Sequence, residues 1–206
     1  MRGIGVTAID DYFAVFGLPR KLSVDGEALR TRFYELSRAH HPDFHQGADA
    51  EAQAETLARS ALINRAYRAL RDPLARVEYL IALEEGRDTR EGATARPAAP
   101  GELLAEMMDV QETLEEAKAA GMDEGARARL REERERLQER KRVEEGAIVS
   151  RAADWDAALS AGADRRPLLE WFKARLAARA YLRTVIDDLG EALGEDLESH
   201  VSHRRH

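Results

Sequence analysis

The sequence predicts an all-α protein built from two helical domains. Its 206 residues include 44% apolar residues, which is enough to bury a core in each of two small domains. Charged residues make up 34% and aromatic residues 6%, a profile typical of helix-rich proteins. Breakers of regular structure cluster between residues 86 and 101. We therefore predict a first domain over 1–85, a linker over 86–100 and a second domain over 101–206.

Helical spacing and end signals predict four helices in the first domain. A short helix opens with acidic residues near Asp10 and stops at Gly17. Asp25 is a good N-cap for a second helix to about residue 40. A third helix follows over about 48–71, and Asp72-Pro73 ends it and begins a fourth.

The second domain is predicted to be a three-helix bundle. Its first helix carries an apolar stripe with the spacing of a bundle core: Leu103, Met107, Val110, Leu114 and Ala117. A charged helix over about 124–150 alternates Arg with Glu, which indicates a solvated face held by ion pairs, or alternatively a coiled-coil or regulatory surface. After a short segment at 155–159, a last helix runs from Pro167 to about Leu197.

Composition excludes several classes of function. The net charge is −7 and Arg is interleaved with Glu, so the chain lacks the clustered positive charge of a nucleic-acid-binding protein. It has no apolar run long enough for a bilayer span and no secretory signal, so we expect a cytoplasmic protein without a membrane partner. It has no cysteine, which excludes disulfides, thiol nucleophiles and all-cysteine ligation of an iron–sulfur cluster. We expect no cofactor of its own.

The tripeptide His41-Pro42-Asp43 stands at the end of the second helix. Pro42 lacks an N–H group and pushes His41 out of the α region, so the helix must end there and a loop must follow. On its own, this is a corner with a solvated imidazole and carboxylate. A metal site with His40 and His45 is a further option, but the proline breaks the helical register and we predict no metal.

The tripeptide and its flanking motifs resemble a known family. Helix, His-Pro-Asp loop and helix are arranged as in a J-domain, the co-chaperone module that stimulates ATP hydrolysis by a heat-shock ATPase chaperone. More narrowly, three motifs look like those of the HscB co-chaperones of iron–sulfur cluster assembly: Asp11-Tyr12-Phe13, Ile63-Asn64-Arg65-Ala66-Tyr67 and Asp72-Pro73-Leu74-Ala75-Arg76. The resemblance implies a J-domain of four helices with a long antiparallel pair, followed by a three-helix bundle.

The resemblance also implies two sets of site residues. The chaperone-binding set consists of the tripeptide and steering arginines on the preceding helix: His41, Pro42, Asp43, Arg30, Arg32 and Arg38. The scaffold-binding set lies on the first bundle helix: Leu104, Met108, Asp109, Glu112 and Glu116. Ala178 stands where the family has an aromatic contact. From periodicity alone, Leu104 and Met108 also fit a wide apolar stripe covered by neighbouring helices.

These expectations combine into one functional hypothesis. The chain is a co-chaperone, not an enzyme: it stimulates the ATPase of a dedicated heat-shock chaperone and delivers an iron–sulfur cluster scaffold protein to it, which promotes cluster maturation. The alternative is a general J-domain co-chaperone for unfolded polypeptides. A helical metal phosphohydrolase would need an adjacent His-Asp pair, which the sequence lacks. The remaining hypothesis is a purely structural helical protein in which the loop has no function.

Overall fold

The computed structural model describes residues 11–41, 43, 49–87 and 101–194, without the side chain of Glu102. Within those residues all regular structure is helical, which confirms the all-α prediction. The helices are α1 (Tyr12–Val15), α2 (Gly26–Ala39), α3 (Ala50–Arg71), α4 (Pro73–Glu84), α5 (Gly101–Ala119), α6 (Glu124–Ser150), α7 (Ala152–Ala161) and α8 (Arg166–Leu193). Most of the predicted linker lies outside the described residues.

Four aspartates begin the first four helices. The carboxylate of Asp25 accepts hydrogen bonds from the N–H groups of Glu27 and Ala28, as predicted for an N-cap. The other three caps accept in the same way from the first turn of their own helices: Asp11, Asp49 and Asp72. Each cap satisfies a backbone donor that the helix itself cannot, which stabilises a helix start by about 1 kcal/mol.

The first compact unit comprises Met1–Thr94 together with Arg151–Leu168. Helix α3 is at its centre, because α1, α2 and α4 all pack against it. The rings of Phe33 on α2 and Tyr67 on α3 stack at 4.1 Å between centroids. Tyr12 stacks on Tyr79 at 4.3 Å, and the Tyr79 hydroxyl accepts a hydrogen bond from the Tyr12 N–H. These contacts fix the long α2–α3 pair on a buried aromatic and aliphatic core.

Helix α7 belongs to this first unit, although the boundaries drawn from the sequence put residues 151–168 in the second domain. The indole of Trp155 on α7 is 1% exposed. The guanidinium of Arg165 lies 5.2 Å from its ring centroid and pairs with Glu84 of α4 at 3.3 Å. Apolar spacing within a ten-residue helix indicates which face is buried, but it does not indicate which core receives that face.

The second unit comprises Ala95–Ser150 and Leu169–His206 and is a bundle of α5, α6 and α8. The predicted stripe of α5 is buried throughout, with Leu103 and Leu114 each 2% exposed. Leu130 and Leu137 of α6 and Leu182 of α8 are fully buried against it. Helix α8 ends earlier than predicted, at Leu193, because Gly194 takes a left-handed conformation at φ 77°.

Some charged side chains of α6 form ion pairs with other helices, and others face solvent. Glu144 is 9% exposed and accepts from Arg175 of α8 through both carboxylate oxygens at 3.0 Å. Glu145 pairs with Arg179 at 2.7 Å. The prediction of a solvated face therefore holds for only one side of this helix.

No helix in the described part of the chain is long and apolar enough to cross a membrane. The apolar helices α4 and α7 run over Pro73–Glu84 and Ala152–Ala161, whereas a span needs about 20 residues.

The ion pair between α5 and α6 predicts a pH-dependent stability. Burial raises the pKa of Glu106, but hydrogen bonds from Arg140 and Arg136 outweigh it, so the pKa lies below its ordinary value. A carboxylate with a lowered folded-state pKa stabilises the fold above the unfolded-state pKa, about 4.3 for Glu, and loses that contribution as the pH falls through the folded-state value. We expect Glu106→Gln to lower the free energy of unfolding at pH 7, with the difference from wild type shrinking below pH 4. Urea unfolding at both pH values measures this, and a constant difference would contradict it.

Candidate partner-binding sites

The corner that ends α2 exposes the two ionisable side chains of the tripeptide. The helix closes at His40, whose backbone N–H donates to the Leu36 carbonyl. The side chain of His41 is 51% exposed and that of Asp43 is 71% exposed. Pro42 lies outside the described residues. The predicted chaperone-binding imidazole and carboxylate are thus both accessible to a partner.

Local contacts hold these two side chains together. The backbone N–H of Asp43 donates to Nδ1 of His41 at 3.3 Å, and the carboxylate Oδ2 lies 3.6 Å from the same nitrogen. In the contact with the Asp43 N–H, Nδ1 is the acceptor. Among the described residues, no group of three or more metal-ligating side chains is arranged to hold an ion. The corner is equipped for recognition through hydrogen bonds and charge.

One face of α2 leads to this corner. Arg30, Tyr34 and Arg38 follow at four-residue intervals, are all exposed and lie on one face over about 12 Å of helix. Tyr34 is 63% exposed, and the sequence analysis did not single it out because residue type alone does not mark an aromatic side chain as exposed. Arg32 is two residues from Arg30 and lies about 200° around the helix, so it is off this face.

Two arginines of α2 form ion pairs with glutamates of the same helix. Arg30 pairs with Glu27 at 2.6 Å and Arg32 with Glu35 at 2.8 Å, with all four side chains at least 52% exposed. Exposed pairs of this kind contribute about 0–1 kcal/mol. The guanidiniums can therefore exchange these partners for an acidic surface at little cost.

A groove lies between α5 and α8 in the second unit. Its volume is about 410 Å³. Leu104 and Met108 stand on its α5 side and are 43% and 67% exposed, so neighbouring helices do not cover them. Its lining is mainly apolar and consists of Leu104, Met107, Met108, Gln111, Ala177, Ala180, Tyr181, Thr184, Val185 and Asp188. The alternative hypothesis, that neighbouring helices cover Leu104 and Met108, is therefore wrong.

Acidic side chains are exposed on the same helix as Leu104 and Met108. The predicted Asp109, Glu112 and Glu116 are all exposed on α5. Glu112 and Glu116 continue the line of Met108 at four-residue steps. Inside the groove, the carboxylate of Asp188 accepts a hydrogen bond from the Gln111 amide at 3.2 Å. The groove therefore combines apolar contact area with negative charge.

The aromatic side of the groove is supplied by Tyr181. It is 36% exposed and lines the groove from α8. The resemblance had drawn attention to Ala178 instead, but Ala178 is 7% exposed and belongs to the bundle core. Since three residues correspond to about 300° on a helix, the two side chains occupy different faces.

Two solved structures share this arrangement of helices. The chaperone HscB from Vibrio cholerae matches with a TM-score of 0.58 and 24% identity, over 92% of this chain and 98% of that chain. The human co-chaperone protein HscB matches with a TM-score of 0.55 and 23% identity, over 89% of this chain and 82% of that chain. This chain has the HscB fold. No family model matches the sequence.

The match confirms the sequence-based resemblance for the fold. It covers both units, so an all-α, J-type helical unit followed by a helical bundle is the shared architecture. At this level of identity the HscB likeness concerns the fold, and the roles of individual residues are a separate question.

Two adjacent methionines test the geometry of the groove. Met107 is 2% exposed and Met108 is 67% exposed. We expect Met107→Ala to lower the free energy of unfolding by about 2–5 kcal/mol, because it leaves a cavity in the core. Met108→Ala should change it by less than about 0.5 kcal/mol. Urea unfolding followed by circular dichroism measures both, and similar losses would show that Met108 is buried.

Proposed function

We propose that this protein is a co-chaperone of iron–sulfur cluster assembly. Its first unit binds a heat-shock ATPase chaperone and stimulates ATP hydrolysis there, and its second unit carries the cluster-scaffold protein to that chaperone. It makes and breaks no covalent bond and needs no cofactor. The observation that carries the proposal is the exposed His41 and Asp43 at the end of a basic helix face, within the HscB fold.

The corner suits recognition of the chaperone for physical reasons. Proline fixes one torsion, and the hydrogen bond from Asp43 to His41 orders the flanking residues, so little conformational entropy remains to be lost on docking. The carboxylate of Asp43 is an acceptor for an arginine, a pairing that is directional when bidentate. Arg30 and Arg38 add long-range attraction toward an acidic surface and raise the association rate.

Stimulation of hydrolysis follows from preferential binding. A bound protein shifts its partner toward a conformation only as far as it binds that conformation more tightly than the other. We infer that the corner binds the hydrolysis-competent form of the chaperone more tightly. The basic face then contributes equally to binding both conformations of the chaperone. The corner contributes the difference in affinity between the two conformations.

The groove of the second unit suits a protein partner. Leu104 and Met108 offer apolar area, and the flexible thioether of methionine adapts to an irregular surface. The exposed Asp109, Glu112 and Glu116 of the same helix favour a partner with basic residues and disfavour acidic ones. A folded scaffold protein with an apolar segment beside lysines or arginines has this chemistry.

Joining both surfaces in one chain is what makes the protein an adaptor. Once one partner is bound, the other meets it at an effective concentration set by the chain that links the two sites, and no new contact is needed. The co-chaperone thus converts two modest affinities into efficient delivery.

Replacing the imidazole of the corner tests the first half of the proposal. We expect His41→Gln to abolish stimulation of the chaperone ATPase, because the change removes the group that distinguishes the two chaperone conformations. Far-UV circular dichroism should not change, since the side chain is exposed. The matched control is His40→Gln, one residue earlier, which should stimulate like wild type. Equal stimulation by His41→Gln and wild type would refute the proposed role.

Truncating the exposed apolar pair tests the second half. We expect Leu104→Ala and Met108→Ala each to weaken scaffold binding roughly tenfold, since interface anchors of this kind cost more than about 1.4 kcal/mol when removed. Val143→Ala is the control, because Val143 is 61% exposed on α6 of the same bundle but does not line the groove. Isothermal calorimetry with the purified scaffold measures each affinity. Binding of an unfolded polypeptide in place of the scaffold would favour the general J-domain alternative.

A further inference from the structure

The backbone just before α2 is held from two sides by residues distant in sequence. The carboxylate of Asp156 on α7 accepts from the N–H of Leu22 at 2.7 Å and from the N–H of Ser23 at 2.9 Å. The carbonyl of Leu22 accepts from Nη1 of Arg76 on α4 at 2.5 Å. Leu22 itself is 3% exposed. Its donor and its acceptor are both engaged by charged side chains, which gives stronger bonds than neutral partners would.

The buried positive charge of Arg76 is balanced by nearby acidic side chains. Its guanidinium is buried, with the residue 6% exposed, and Nε donates to the Leu70 carbonyl at 2.7 Å. Burial lowers the pKa of Arg76, and the negative charges of Asp72 and Asp156 oppose that shift. Asp156 therefore does two things: it caps two backbone N–H groups and it helps neutralise a buried cation. An uncompensated buried charge would be costly.

Leu22 is close to the start of the chaperone-facing helix. Only two residues separate Ser23 from Gly26, where α2 begins, and Asp25 caps that helix. A segment this short limits how far the first turn of α2 can move relative to Leu22, because the three Cα–Cα steps from Ser23 to Gly26 span no more than about 11 Å. Arg30 and Arg38 follow on the same rigid helix.

We propose that Asp156 is a positioning residue for chaperone binding and that residues 151–168 are a built-in part of the chaperone-binding unit. The inference rests on the proposed function of that unit and adds to it. The chaperone-binding unit is then discontinuous in sequence: a segment that follows the second helix of the bundle completes it. Removing the carboxylate frees the start of α2, so the basic face and the corner sample more orientations and docking loses affinity.

The experiment compares three full-length variants by titrating each against the heat-shock ATPase chaperone of the same organism. Asp156→Ala removes both acceptor oxygens, and Asp156→Asn keeps the volume but only one acceptor. Asp154→Ala is the control, because Asp154 is exposed on the same helix and pairs only locally, with Arg151 at 3.4 Å. Stimulated ATPase rate against co-chaperone concentration gives a half-saturating concentration and a maximal rate.

The expected result is graded. Asp156→Ala should raise the half-saturating concentration about five- to tenfold, or roughly 1–1.4 kcal/mol of binding energy, with the maximal rate unchanged. Asp156→Asn should lie between it and wild type, and Asp154→Ala should match wild type. Hydrogen exchange should accelerate at the amides of Leu22 and Ser23 and in the first turn of α2. Scaffold affinity should not change.

Several outcomes would overturn the positioning role. An unchanged half-saturating concentration despite faster exchange at Leu22 and Ser23 would show that α2 does not need the anchor. Faster hydrogen exchange at amides throughout the first unit would show that Asp156 stabilises the whole unit and does not specifically position α2. If Asp156→Ala loses its helical circular dichroism signal, the Asn variant decides by the same criteria. Failure of the wild-type chain to stimulate hydrolysis overturns the proposed function instead, so the two failures are distinguishable.

Discussion

The first unit depends on one buried guanidinium. Arg76 cannot leave its hydrogen-bond donors unpaired in a nearly dry environment, so backbone carbonyls must surround it and acidic groups must balance it. Its guanidinium donates to the carbonyls of Leu70 at the end of α3 and of Leu22 before α2, and the negative charge of Asp156 on α7 helps to balance it. Three parts of the chain that are distant in sequence are held around one charge.

The two proposed binding surfaces use different physics. The corner and basic face of α2 act through charge and directional hydrogen bonds, which give fast association and selectivity for one conformation of a partner. The groove of the bundle offers an apolar surface that includes the carboxylate of Asp188, which suits a complementary partner surface. The two proposed surfaces share no residues.

Much of the fold could be predicted because the signals are local. The cap at Asp25 and the apolar stripe from Leu103 to Ala117 depend on residues within a few turns of one another, and both are observed. The site was less predictable. Arg32 was chosen by resemblance, yet the helical rotation places it off the basic face. Ala178, which stands where the family has an aromatic contact, lies in the core. Tyr34 and Tyr181 were missed because exposure is not encoded in residue type alone.

By itself, the sequence determined the helical class, most helix boundaries and the position of the His-Pro-Asp corner, since propensity, capping and periodicity act over short distances. Tertiary structure alone decided that α7 joins the first unit, that Asp156 meets the backbone of Leu22, and that Met108 lies exposed beside buried Met107. Contacts across more than a hundred residues depend on which apolar faces find each other during packing. No local pattern specifies that choice, because several cores would accept the same stripe.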